Sequence, residues 1–254
     1  LRSDYLSEAL KPLVWYKKLS GKKERLGASV FLVEGPRAVM QVIASAPNSI
    51  LEILATDEIV DTYNDYPTRI ITDKQLKSIC SAQHPQGLVA VVRLPSNVYS
   101  DDLPDYTGSR LLLLEDVQDP GNLGTLIRTA AAFDFDGVML TPKCADPFSP
   151  KCVQASAGAM LSVWVRVTSD YVLLANKLKS RGYALVAANL GGSDDLSLLS
   201  NNKLLLALGN EASGLSSTVL KIADIRLQIP INQNKAESLN VATCGAICMY
   251  LSSR

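Results

Sequence analysis

The chain has 254 residues, 47% of them hydrophobic and 20% charged, with 25 basic and 25 acidic side chains and a formal net charge of zero. That composition excludes the disordered, collagenous and low-complexity classes and leaves room for one large domain or two ordinary ones. Zero net charge argues against a nonspecific nucleic-acid binder. No apolar run approaches the roughly 18 residues a membrane span needs, and with no signal peptide a cytoplasmic protein is expected.

The N-terminal stretch LRSDYLSEALKPLVWYKK is amphipathic and mixed in charge. It leads into a cluster of Lys11, Lys17, Lys18, Lys22, Lys23 and Arg25 with only Glu24 opposing, which reads either as a solvated helix face or as a phosphate-contacting patch. FLVEG (31–35) reads as a buried strand. PRAVMQVIAS follows as a helix that tolerates Pro36 in its first turn. SILEILAT, TRIIT and GLVAVVRL read as short strands, and TDKQLKSIC as a helix capped by Thr72 or Asp73. His84, the one histidine, stands beside Pro85 in a turn and reads as structural. Residues 1–100 are thus expected to form an α/β unit. LPSNVYSDDLPDYTGS (94–109) carries linker chemistry, and the linker is placed at 101–109.

Residues 110–254 have a different pattern. LLLLEDV (111–117) is a continuous apolar run, the mark of a parallel strand buried on both faces. A helix (GNLGTLIRTAAAF), a strand (GVMLT), a helix running into a strand (KCVQASAGAMLSVWV) and a helix (DYVLLANKLKSRG) come next. YALVAAN, KLLLALGNE and RLQIPI are further strands, and SLNVATCGAICMYLSSR is a C-terminal helix. The alternation predicts a parallel sheet covered by helices on both faces. Cys80, Cys144, Cys152, Cys244 and Cys248 contain no CxxC pair and read as small thiols of a reducing compartment, so no metal is expected. QDPGNLGTLIRTA, after the first strand, has Gly121 and Gly124 but not G-x-G-x-x-G. Neither a nicotinamide-binding Rossmann unit nor an ordinary glycine-rich methyltransferase loop is therefore expected.

Three segments point elsewhere. EDVQDPGNLGTLIRTAAAF (115–133), LALGNEASGLS (206–216) and LQIPINQNKAESLNVATCGAI (227–247) strongly resemble the three signature motifs of the SpoU (TrmH-like) RNA methyltransferase family, in the family's order. KLSGKKERLGASVFLVEGPRAV and HPQGLVAVV resemble the family's substrate-binding module, a small sandwich related to RNA-binding ribosomal proteins. The resemblance implies an α/β fold of SPOUT type, a knotted parallel sheet with helices on both faces, preceded by that RNA-binding sandwich. It implies S-adenosylmethionine as cofactor, a homodimer with the active site at the subunit interface, and methyl transfer to a ribose 2′-hydroxyl. The appended module favours ribosomal RNA as substrate; transfer RNA, or a non-catalytic RNA-binding relative, are the alternatives.

Carried over residue by residue, the resemblance implies cofactor contacts at Asn189, Leu208, Gly209, Ile229 and Leu239. Gly209 lies at the C-terminal end of a strand, where open α/β sheets bind ligands. The catalytic set it implies is Arg128, Asn122, Glu211, Ser238 and Asn240. An arginine stays protonated at any working pH, which suits Arg128 to a phosphate and hydroxyl clamp better than to a base. Glu211 either orients Arg128, caps a helix or handles the proton. Ser238 either caps the C-terminal helix or touches substrate, and Asn122 is either a turn former or a donor. Lys17, Lys18, Lys22, Lys23 and Arg25 become candidate RNA contacts. Two departures stand out: Ala212 where the family often has glycine, and a polar INQNKAESLN loop where relatives are glycine-rich.

Overall fold

The computed structural model describes residues 11–253; the first ten residues of the amphipathic N-terminal stretch, and Arg254, lie outside the described residues. Two compact units form. One takes the chain up to Ser96 together with Asp146–Leu161, and the other takes Asn97–Ala145 with Ser162 onward. Among the described residues no helix is long and apolar enough to cross a membrane.

The first unit begins with two short helices, α1 (Leu13–Lys18) and α2 (Lys22–Ala28), which the sequence pattern did not resolve. Then come β1 (Val30–Glu34), α3 (Pro36–Ser45), β2 (Ile50–Ala55), β3 (Thr68–Ile70), α4 (Asp73–Ile79) and β4 (Leu88–Arg93). Pro36 opens α3, its missing N–H costing nothing in a first turn. Thr72 is the α4 cap: its side chain and that of Gln75 each accept the other's backbone N–H, a complete capping box. The strands order as β1-β4-β2-β3, with β4 antiparallel to β1 and β2, and β3 parallel to β2. Leu54, Val89 and Val91 of the sheet pack with Tyr16 and Leu19 and with Leu76 and Ile79 of α4. The helix Pro150–Ser156 returns from the later sequence to lie on β1, and the rings of Phe31 and Phe148 meet edge-on at 4.9 Å.

Arg25 corrects a sequence expectation. It is 3% exposed; its guanidinium donates to the Leu19 and Ser20 carbonyls at 2.8 and 2.6 Å and pairs with Asp146. All its donors face protein, so it is a structural tie and not an RNA contact. Arg25→Ala is expected to destabilise the protein by about 1–3 kcal/mol, because the Leu19 and Ser20 carbonyls and the half-buried Asp146 carboxylate lose the guanidinium. Thermal melting checks this.

The second unit is built on six parallel strands: β5 (Arg110–Leu114), β6 (Gly137–Leu140), β7 (Trp164–Val167), β8 (Ala184–Ser193), β9 (Leu204–Leu208) and β10 (Ile225–Leu227). Their order is β10-β8-β9-β5-β6-β7. Leu111–Leu114 and Leu204–Ala207 are fully buried, as strands covered on both faces must be. The helices are α5 (Pro120–Ala132), α6 (Tyr171–Ser180), α7 (Ser217–Ile222) and α8 (Val241–Ser252). Leu174, Leu178 and Val219 of α6 and α7 pack on Leu111, Leu113, Leu185 and Leu205. Each fully buried leucine contributes about 2 kcal/mol. Helix α8 packs on α5. Gly245 allows that approach, since a Cβ there would stand 2.4 Å from Leu126 and 2.8 Å from Leu208. Helix α7 was not foreseen: its six residues are too few to show a helical period.

The segment expected to be a linker is pinned down rather than free. Val98 is 1% exposed and its carbonyl accepts from Val167 at 2.7 Å. Asp102 accepts from Arg166 at 3.0 Å, and Thr107 from the Trp164 indole at 3.1 Å.

Candidate active site

In the second unit the C-terminal ends of β5, β8, β9 and β10 give way to four loops. The outer half of β8 (Ala188–Leu190), the loops after β9 and β10 and the start of α8 line a cleft of about 540 Å³, a size ordinary for a cofactor site. The physical basis is local. After β5, Asp116 takes a left-handed conformation (φ 56°), unusual for a residue with a side chain and costing about 1 kcal/mol or more. Its amide donates to Thr141 Oγ1 at 2.9 Å, and that hydroxyl donates back to Asp116 Oδ1 at 2.6 Å. Asp119 caps α5 by accepting from Asn122 N at 2.9 Å, with Pro120 in the first turn.

Two side chains tie the β5 loop to the β9 loop. Glu115, 5% exposed, accepts from Ser216 N at 2.7 Å and from the Tyr171 hydroxyl at 3.3 Å. Burial, then the Glu115 charge, holds that hydroxyl above the usual tyrosine range, so it remains a neutral donor. Asn210 donates to the Asp116 carbonyl at 2.8 Å while its own oxygen accepts from Ala212 N and Ser213 N. Sequence reasoning assigned neither residue a role; their presence inside the motif segments was the only signal.

With the loops held together, Asn122 Nδ2 donates to Glu211 Oε1 at 3.0 Å, and Asn240 Nδ2 donates to Asn122 Oδ1 at 3.0 Å. Asn240 Oδ1 accepts from Ala242 N and Thr243 N, capping α8. The chain of bonds therefore has one sense: the helix amides fix the Asn240 amide, which fixes Asn122, which directs an N–H at Glu211. Asn240, not Ser238, is the α8 cap. Among the described residues of its own chain, Glu211 neither caps a helix nor pairs with Arg128.

Asn189, Leu208, Gly209, Ile229 and Leu239 all line the cleft, as do Glu211, Ser238 and Asn240. Asn189 also shapes the outer end of β8 by accepting from Gly191 N at 2.9 Å. Ile231, which leaves β10 beside Ile229, lines it as well, and so do Leu190, Glu237 and Cys244; sequence reasoning missed these last three, although each neighbours a motif position. A hydrogen bond from Cys248 draws the Cys244 thiol below its usual value against the opposing effect of burial. Arg128 is different. It is exposed, does not line the cleft, and has no hydrogen-bond or ion-pair partner among the described residues. Six residues beyond Asn122, it emerges about 240° around the α5 axis from it. Gly209 has a further reason to be glycine. A Cβ there would stand 2.2 Å from the Gly214 carbonyl carbon, so it is the loop folding back, through the Asn210–Gly214 bridge, that demands glycine.

Apolar walls from Leu208, Ile229 and Leu239, open amide and carbonyl groups of irregular loops, and carboxylates without a lysine or arginine among the described lining residues make a site suited to a flat aromatic ring with a cationic tail. The family model for the SpoU rRNA Methylase family matches residues 109–250, and that for the MRM3-like substrate binding domain matches residues 15–90. The chain belongs to the SpoU family. It is 32% identical over 241 residues, 92% of this chain and 93% of the relative, to the 23S rRNA (guanosine(2553)-2′-O)-methyltransferase RlmP of Bacillus subtilis. A solved TrmH-family structure from Porphyromonas gingivalis superposes with a TM-score of 0.83 at 31% identity, covering 96% of this chain and 98% of that one. An AdoMet-bound rRNA methyltransferase from Sinorhizobium meliloti gives 0.81 at 26% identity, covering 94% and 93%. The expected fold class, a SPOUT-type α/β domain behind a small α/β unit, is the one found. This SpoU protein is an RNA (ribose-2′-O)-methyltransferase and its cofactor is S-adenosylmethionine.

Proposed function

We propose that the protein methylates a ribose 2′-hydroxyl of ribosomal RNA, with the cleft of the second unit holding S-adenosylmethionine and the first unit holding RNA. The observation that carries the reading is the one-directional chain Asn240–Asn122–Glu211 at the mouth of a cleft lined by all five expected cofactor residues. The cofactor supplies an electrophilic methyl group on a positive sulfur. Leu208, Ile229 and Leu239 would hold its purine by apolar contact. Glu211, held by Asn122, and Ser238 would align the ribose for transfer, and alignment of this kind alone supplies several kcal/mol. Arg128, permanently cationic, clamps phosphate and stabilises the developing alkoxide. Its place off the cleft of its own chain supports a homodimer in which each protomer's Arg128 serves the cleft of its partner.

The ribosomal choice is supported by the match of residues 15–90 to a substrate-binding module and by the length of the likeness to RlmP. The test is tritium transfer from labelled S-adenosylmethionine to ribosomal RNA and to bulk transfer RNA from cells lacking the protein. Label on a ribose of ribosomal RNA is expected; label in transfer RNA alone would overturn the substrate.

Lys17, Lys18, Lys22 and Lys23 are exposed on α1 and α2, and they are the proposed phosphate contacts. Converting all four to glutamine is expected to weaken RNA binding about 10- to 100-fold and to flatten its salt dependence, while leaving cofactor binding unchanged. An unaltered salt slope in filter binding would remove them from the interface. Deleting residues 1–100 is a poorer test, because it strips the partner from Phe148, which is 2% exposed.

A further inference from the structure

Within one chain the charge of the cleft is one-sided. Two carboxylates line it, Glu211 and Glu237, against asparagine, glutamine and serine side chains and apolar walls, with no lysine, arginine or histidine among the described lining residues. Glu211 is engaged by Asn122. Glu237 stands in the polar loop between β10 and α8, exposed, with no hydrogen-bond or ion-pair partner among the described residues. Lys235, two residues earlier in the same loop, does not line the cleft. A carboxylate left unpaired on the wall of a ligand cleft acts on whatever charge the ligand brings.

Methyl transfer changes that charge. The carbon–sulfur bond breaks and a carbon–oxygen bond forms. The sulfur keeps the bonding pair and becomes a neutral thioether, and the hydroxyl proton leaves to solvent. S-adenosylmethionine thus carries one positive charge more than S-adenosylhomocysteine, while the two share the adenosine and the amino-acid end. Shape separates them by a single methyl, a weak handle in an apolar pocket. A fixed negative potential distinguishes them by a full charge.

We propose that Glu237 is a specificity-determining residue that sets the preference of the cleft for the cationic cofactor over its neutral product. The proposal rests on the reading of the cleft as the cofactor site. It gives the polar INQNKAESLN loop a role in turnover: the same carboxylate that attracts the methyl donor ceases to hold the product once the methyl has left.

The test is calorimetric titration of the intact protein with S-adenosylmethionine and, separately, with S-adenosylhomocysteine. In Glu237→Gln, affinity for the methyl donor is expected to fall roughly three- to sixfold while affinity for the product changes less than about 1.5-fold, and the difference should shrink at high salt. Glu237→Asp, which keeps the charge, should retain most of the preference. Equal changes for both ligands, or none, would overturn the proposal, as would an aspartate variant as impaired as the glutamine one. Wild-type protein that takes up neither compound would overturn the cofactor reading of the cleft itself, a result distinct from any shift in their ratio.

Discussion

Arg128→Ala is expected to lower the rate of methyl transfer about 100- to 1,000-fold, the range for removing one preorganised donor to a developing oxyanion. Melting temperature and S-adenosylmethionine affinity should stay essentially unchanged. The side chain is exposed on α5 and bonded to nothing among the described residues, and alanine is the best helix former, so folding has no reason to suffer. It does not line the cleft, so the cofactor has no reason to notice. Arg128→Lys discriminates further: lysine keeps the charge but not the planar fork, and only a partial recovery is expected if bidentate phosphate contact matters. Single-turnover kinetics with calorimetry on the same preparations decides, and normal turnover by the alanine variant would remove Arg128 from the site.

Gly209→Ala is expected to abolish measurable cofactor binding. The added methyl would meet the backbone of Gly214 and Leu215 at 2.2–2.4 Å, and backbone cannot swing away as a side-chain tip can. The loop must open, which separates Asn210 from its bridge and moves Glu211 away from Asn122. The strain is expected to cost about 2–3 kcal/mol, and for a chain of this size a melting temperature lower by about 5–10 °C. A variant that binds S-adenosylmethionine normally would place the cofactor elsewhere.

The two variants together test the homodimer. If Arg128 serves the partner's cleft, each mixed dimer of Arg128→Ala with Gly209→Ala has one site in which both an intact cleft and an intact arginine meet. Random re-association of equal amounts should then restore about a quarter of wild-type activity from two inactive proteins. If Arg128 serves its own chain, every site in the mixture carries one defect and no activity returns.

By itself the sequence determined the order of most elements and the chemistry of the loops. The runs LLLLEDV and KLLLALGNE read as strands buried on both faces, because they are too short for a buried helix and lack the polar alternation of a solvated face. Pro36 and Thr72 marked helix starts through backbone effects that act within three residues. The motif segments supplied the cleft-lining residues because strand ends and the loops that follow them are contiguous in the chain. Short elements escaped: α1, α2 and α7, of six or seven residues, span too few turns to reveal a period.

Only the tertiary structure decided what depends on residues far apart in the chain. Arg25 reads as one more cation of a surface cluster until Asp146, 121 residues later, closes on its guanidinium and buries it. Asn122, Glu211 and Asn240 were each ambiguous alone, and they acquire one sense of hydrogen bonding only because β5, β9 and α8 bring them within 3.0 Å. Gly209 is required by the close approach of the Gly214 backbone, and Glu237 gains meaning from the absence of a cation around the described cleft wall of its own chain. Local sequence fixes backbone propensity and side-chain chemistry. Partnership, burial and local potential are sums over neighbours in space, and the fold alone chooses those neighbours.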